Sequence, residues 1–151
     1  MQATEHELWA QRIAAALAAA EPLPALPDDL SLADGYAIQS ALIPRIDPQG
    51  PAGLKAGVTQ ARAQRGLGID HALLGRLYRR GELANGARIR AATGLAIECE
   101  LGIRIDSGGG PSAFGPALEI VRPAFASSVS ITAPGLLASN LAAEAFMSGP
   151  E

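Results

Sequence analysis

The run from Leu95 to Ile105 constrains this chain more than any other. Ile97, Cys99, Leu101, Ile103 and Ile105 fall on odd positions, whereas Glu98, Glu100 and Arg104 fall on even ones. Apolar and charged residues alternating at every step follow the period of a β-strand and destroy any helical face, so the run predicts a half-buried strand. Side chains two apart leave a strand on the same face, about 7 Å from each other. Glu98 and Glu100 are therefore neighbours, and like charges so placed invite a cation or a proton between them. A third carboxylate, Glu119, sits in a second apolar run, Ala117-Leu118-Glu119-Ile120-Val121. Three carboxylates on two strands make an oxygen-rich set suited to a hard divalent cation such as Mg²⁺. The same pattern also describes a solvated strand face. Arg104, on the face of Glu98 and Glu100, is a competing counter-ion.

Composition narrows the class. The chain has 151 residues, 48% hydrophobic and 18% charged, which is enough apolar material for one domain with a core and too little charge for wholesale disorder. A net charge of −3 argues against nucleic acid as a partner. The local group Arg76, Arg79, Arg80, Arg88 and Arg90 reads as a solvated basic edge. One cysteine rules out an internal disulfide framework or a cysteine-based zinc site. Its alternation with Ile97 and Leu101 predicts a buried, inert thiol, consistent with a reducing cytoplasm. The alanine-rich run from Ile13 to Ala20 is not a signal peptide, because Glu5 and Glu7 stand where positive charge belongs. No apolar stretch is long enough to cross a bilayer.

Along the chain, Trp9, Ile13, Leu17 and Ala20 have helical spacing, predicting an amphipathic helix over Thr4–Ala20 with Thr4 and Glu7 as a capping box. Pro22, Pro24 and Pro27 end it in an extended link. Ser31 and Asp34 open a second helix, expected to run to Ile43 and to stop at Pro44. Gly53–Thr59 reads as a short strand in which Lys55 stands between two glycines. By default that lysine is at the surface. Gln60–Leu67 suggests a turn or two of helix, Ile69–Leu77 irregular chain, and Asn85-Gly86 a hairpin turn into a strand at Ala87–Ala91. Ser107–Pro111 reads as a flexible link. Ile131–Asn140 predicts a short helix with Thr132 at its cap and Pro134 in its first turn, followed by the apolar segment Leu141–Met147. His6 belongs to an exposed helix end, His71 to a loop, and Trp9 to helix packing; neither histidine has a metal-site partner by spacing.

Several of these pieces together resemble one family. They are Gly35-Tyr36-Ala37-Ile38-Gln39, Gly53-Leu54-Lys55-Ala56-Gly57-Val58-Thr59, Leu67-Gly68-Ile69-Asp70, Gly75-Arg76-Leu77, Ile97-Glu98-Cys99-Glu100-Leu101, Pro116-Ala117-Leu118-Glu119-Ile120-Val121 and Leu137-Ala138-Ser139-Asn140. In this order they resemble the 2-keto-4-pentenoate hydratase and 4-oxalocrotonate decarboxylase family of the fumarylacetoacetate hydrolase superfamily. The resemblance implies an α+β fold, with N-terminal helices (1–50) packed on a mixed β-sheet that forms part of a fumarylacetoacetate-hydrolase-like β-roll (51–151). It implies that Glu98, Glu100 and Glu119 bind Mg²⁺ or Mn²⁺ and that Lys55 is an active-site cation. The implied ligand is a small 2-oxo or 2-hydroxy carboxylate. The implied reaction is hydration of a 2-hydroxypenta-2,4-dienoate-type substrate to a 4-hydroxy-2-oxo acid in aromatic catabolism, or decarboxylation of a 2-oxo-enedioate.

The chain departs from the family pattern at defined points. Leu73 stands where the family has the aspartate of P-D-F-G, Ser139 replaces the aspartate of A-D-N, and a short glycine-rich link replaces a helix between Glu100 and Glu119. Family members also continue past the position of Glu151. A partial roll would present unpaired strand edges and an exposed apolar face. Either another chain covers them, in a homo-oligomer or as a partner chain, or the fold is rearranged, or the sequence is an incomplete product; the alternative function is that of a non-catalytic homologue that binds such a partner.

Overall fold

In the computed structural model, which describes residues 1–90, 94–126 and 130–150, alanine-rich Ala3–Ala19 forms helix α1 and buries Ala10, Ile13 and Ala16 along one stripe. The helix starts ahead of Thr4, so the Thr4–Glu7 capping box does not form. The Gln2 backbone N–H donates instead to the Glu5 carboxylate at 2.7 Å, and Glu7 pairs with Arg45. Helix α2 spans Leu32–Ile46 with Ser31 and Asp34 as its capping box. Pro44 lies inside it rather than ending it. The missing proline N–H orphans only the Ser40 carbonyl, and Ser40 is exposed to water. His6 is not at a bare helix end, because its ring meets the Asp34 carboxylate at 2.8 Å and ties α1 to the start of α2. Trp9 packs against the helical core as expected.

Strand β1 (Pro51–Gly57) pairs antiparallel with β2 (Leu73–Tyr78). The second strand corrects the expectation of irregular chain over Ile69–Leu77: Leu73-Leu74-Gly75-Arg76 has no two-residue rhythm, and its strand character comes from pairing with distant β1. A short helix, α3 (Ala61–Gly66), lies between them where a helical turn was expected. Asn85-Gly86 makes a turn, but residues 87–90 are not a strand, and Ala91 lies outside the described residues.

Strand β3 (Ala96–Ile105) pairs with β4 (Pro111–Val121), and β4 with β5 (Ala143–Ser148), giving the order β3-β4-β5 with every pair antiparallel. Among the described residues, parallel pairing is confined to isolated bridges, Leu23 to Phe125 and Glu82 to Phe146. The glycine-rich link is not structureless. It is a closed hairpin turn in which the Asp106 carboxylate accepts the N–H groups of Gly108 (2.8 Å) and Gly110 (3.0 Å). Helix α4 (Ala133–Ala138) follows the expected Thr132 cap.

The core divides in two. Ala10, Ile13, Ile38, Leu42 and Ala138 join α1, α2 and α4, while Leu73, Ala133, Leu137 and Leu141 join β2 to α4. Gly35 permits the α2–α4 contact, since a Cβ there would lie 2.8 Å from the Pro134 carbonyl oxygen. The architecture is the expected α+β arrangement with N-terminal helices. The burial expected of β3 is not found: Ile97, Cys99, Leu101 and Ile103 are all exposed. Their alternation is genuine, but among the described residues no second layer lies over this row of β3. Cys99 is accordingly an exposed thiol, not a buried one. Among the described residues, no helix is long and apolar enough to cross a membrane.

Candidate metal centre

The antiparallel register sets Glu98 of β3 directly opposite Glu119 of β4, and Glu100 follows two residues along on the same face. One carboxylate oxygen from each of Glu98, Glu100 and Glu119 lies within 4.8 Å of the others. Glu98 and Glu100 face water, whereas Glu119 is buried. The three acids singled out in the sequence are thus brought to one point.

Lys55 reaches the same point from the other sheet. It stands opposite Gly75 in the β1–β2 pair, pairs with Glu119, and donates to the Leu141 carbonyl at 3.2 Å. Its side chain is 8% exposed and that of Glu119 is 7%, so the pair is desolvated and its Coulomb term is only weakly screened. The expectation of a surface lysine therefore gives way to a buried ammonium. Gly75 makes room for it, since a Cβ at that position would come within 2.8 Å of Lys55 Cγ. Burial pushes the Glu119 carboxyl above its ordinary value of 4.5. Lys55 pulls it down, and the charges of Glu98 and Glu100 push it further up. Arg104 lies along β3 toward the hairpin, opposite Ala113.

One element of the site carried no signal in charge or spacing. Asn140, Leu141 and Ala142 adopt left-handed backbone with φ of 55°, 54° and 58°, a conformation costly for residues with a Cβ and held only where surroundings enforce it. Asn140 enforces it. Its Oδ1 accepts the Arg76 N–H at 2.8 Å, and its Nδ2 donates to the Arg76 carbonyl at 2.9 Å. This double bond to β2 fixes the turn that offers the Leu141 carbonyl to Lys55. Asn140 belonged to a recognisable segment, but only the fold reveals its task.

Leu73 and Ser139, which stand where the resemblance has aspartates, each have a settled place in the fold. Leu73 is fully buried in the second core cluster, and the Ser139 hydroxyl donates to the Leu136 carbonyl of its own helix at 3.0 Å. Neither side chain offers a proton to the carboxylate cluster. A separate cleft of about 630 Å³, lined by residues including Leu17, Arg45, Tyr78, Arg122 and Glu144, contains none of the four site residues.

The α+β fold, in which two antiparallel sheets meet at the three-carboxylate cluster and the buried lysine, is shared with solved structures. The solved structures that share it include 4-oxalocrotonate decarboxylase from Pseudomonas putida G7, in one case complexed with magnesium and adipate and in another with calcium and acetate. The first matches with a TM-score of 0.82 at 16% identity, over 99% of this chain and 64% of that one. The second matches with a TM-score of 0.80 at 17% identity, over 99% of this chain and 63% of that one. This chain thus spans somewhat less than two-thirds of their length, and the likeness is one of fold. It includes α1, which lies ahead of the segments quoted above. No protein-family model matches the sequence, and no curated protein matches it.

Proposed function

We propose that the chain is a metal-dependent hydro-lyase acting in the cytoplasm on small 2-hydroxy-dienoate or 2-oxo carboxylates. Glu98, Glu100 and Glu119 would hold Mg²⁺ or Mn²⁺, and Lys55 would serve as the catalytic cation. The observation that carries this reading is the convergence of three carboxylate oxygens within 4.8 Å beside a buried ammonium. The donor set fits the ion: it is all oxygen, as hard cations require, and three carboxylates against one lysine leave two negative charges to balance. When bound, a divalent cation supplies Lewis-acid polarisation of an oxygen next to the substrate carboxylate.

The chain's own residues account for the rest. Lys55 Nζ brings positive charge to an anionic substrate and holds a proton that it can donate at that atom. Asn140 and the Leu141 carbonyl fix where that proton sits, and the desolvation of the Lys55–Glu119 pair strengthens its field. With Leu73 in the core where a family aspartate would stand, the ammonium and the carboxylates are the proton-exchanging groups at this point.

A second reading, decarboxylation of a 2-oxo-enedioate, is supported by the two structures named above, both of a 4-oxalocrotonate decarboxylase. Calorimetric titration with Mg²⁺ should give saturable binding that Glu98→Ala and Glu119→Ala abolish. Loss of dienol absorbance from 2-hydroxypenta-2,4-dienoate, as against release of carbon dioxide from a 2-oxo-enedioate, then separates the two reactions. Failure to bind Mg²⁺ overturns both. Binding without either turnover leaves the non-catalytic homologue.

A further inference from the structure

We infer that Lys55 is the resident counter-ion of the carboxylate cluster, and that it gives up Glu119 to the divalent cation when the site fills, which frees its ammonium for the substrate. This rests on the metal-binding reading above and adds an order of events to it. Lys55 is the only lysine in the chain. Its ammonium has three N–H donors, of which one goes to Glu119 and one to the Leu141 carbonyl at 3.2 Å. With both bonds in place the amine has a single donor left, and its side chain is 8% exposed. Held in this way it serves the protein's own carboxylate and not an anion from outside.

The two bonds differ in how readily they break. The Leu141 carbonyl belongs to the left-handed turn that Asn140 ties to Arg76 by two hydrogen bonds, so it stays where it is. Glu119 is a side chain, and its carboxylate is wanted twice, since one of its oxygens lies within 4.8 Å of an oxygen from Glu98 and another from Glu100. A cation held by all three acids would share Glu119 with the ammonium. Both are positive, and burial of the pair leaves their repulsion weakly screened. Lys55 is the one that yields, because it carries the smaller charge and keeps the Leu141 carbonyl as a partner. Competition for one group is reciprocal: ammonium and cation each loosen the other's hold by the same factor. Once Glu119 is gone, Lys55 has two N–H donors to offer from a fixed point. An anionic 2-oxo or 2-hydroxy carboxylate is the class of ligand that takes them, so the metal binds before the substrate.

A single lysine makes the exchange measurable in the unaltered chain. Trace acylation of amines has two targets, Lys55 and the Met1 terminus. The terminal amine is held 3.2 Å from the Asp34 carboxylate in the first turn of α2, and serves as the internal reference. At fixed pH, Mg²⁺ should speed acylation of Lys55 relative to Met1 by about tenfold, with a midpoint equal to the dissociation constant from calorimetry. Glu98→Ala, at an exposed position, should bind no Mg²⁺ and keep Lys55 slow at every concentration. A crystal structure with Mg²⁺ should find Lys55 Nζ on the Leu141 carbonyl and off Glu119. Saturable Mg²⁺ binding with acylation of Lys55 unchanged or slowed, or with Nζ still on Glu119, overturns the exchange and leaves the metal reading intact. No Mg²⁺ binding at all overturns both.

Discussion

In the helical body, Ile13, Ile38, Leu42 and Leu137 lose essentially all contact with water, whereas in the three-stranded sheet the equally regular row Ile97, Leu101 and Ile103 keeps more than half of its surface. Both rows are well patterned, and the difference is in what lies opposite. Helices α1, α2 and α4 face one another and close a core. The β3–β4–β5 sheet has one face turned to the carboxylates and Lys55; on the other, Ile120 of β4 is buried, but none of the described residues covers the β3 row. Periodicity decides which side chains stand together; a second layer decides whether they are buried. The Lys55–Glu119 pair is the joint between the two-stranded and three-stranded sheets, since Lys55 comes from β1 and Glu119 from β4.

Breaking that joint should have the largest effect. Lys55→Met strands a buried carboxylate and should cost about 3–5 kcal/mol of unfolding free energy near neutral pH. Glu119 then takes up a proton more readily. A carboxylate whose value is raised by folding contributes stability that is present below its unfolded value and lost as pH rises through the folded one. Urea unfolding should therefore show a smaller penalty for Lys55→Met at pH 5 than at pH 8; an equal penalty at both would mean that the pair does not join the sheets. In the parent chain, Mg²⁺ affinity should rise with pH over the range in which Glu119 loses its proton.

The comparison between body and sheet is sharpened by truncating one apolar side chain in each. Leu42→Ala removes a fully buried side chain and should cost about 2–5 kcal/mol, while Leu101→Ala should fall within about 0.5 kcal/mol of the parent. Similar losses by chemical denaturation would show that the sheet face is covered within a single chain. Asn140→Ala should cost about 1–3 kcal/mol by leaving the Arg76 N–H and carbonyl unpaired, and proton exchange along β2 should quicken.

The smallest effect belongs to the N-terminal tie. The Ser31 hydroxyl, then His6 and the terminal amine, hold the Asp34 carboxyl well below its ordinary value of 3.8. Its contribution is therefore present above that value and lost as pH falls below it. Asp34→Asn should flatten the acid limb of the stability profile, as measured by thermal unfolding at a series of pH values.

What the sequence disclosed, and what it withheld, follows the range over which each signal acts. The Ser31–Asp34 box, the Thr132 cap and the alternation of β3 are written in neighbouring residues and were legible. Strand β2 was not, because its character depends on β1, some twenty residues away. The three carboxylates were grouped by local pattern plus a family resemblance, but neither could show that Lys55 is buried against one of them. Cys99 misled for the same reason as the rest of β3: alternation names a face without naming its cover. Asp106 turned a seemingly loose glycine run into a closed hairpin through bonds to its own loop. Such bonds depend on backbone conformation more than on residue type.

The empty space at Gly75 has a consequence of its own. Lys55 can stand where it does because nothing projects from the opposing strand, and a single methyl at 75 would meet its aliphatic stem at 2.8 Å. Gly75→Ala would thus displace the amine while leaving every charged group in the sequence untouched. A homologue carrying that change would keep all the expected letters yet hold its ammonium elsewhere. In this fold, the reach of the amine is governed from across the ladder, by a residue that bears no functional group at all.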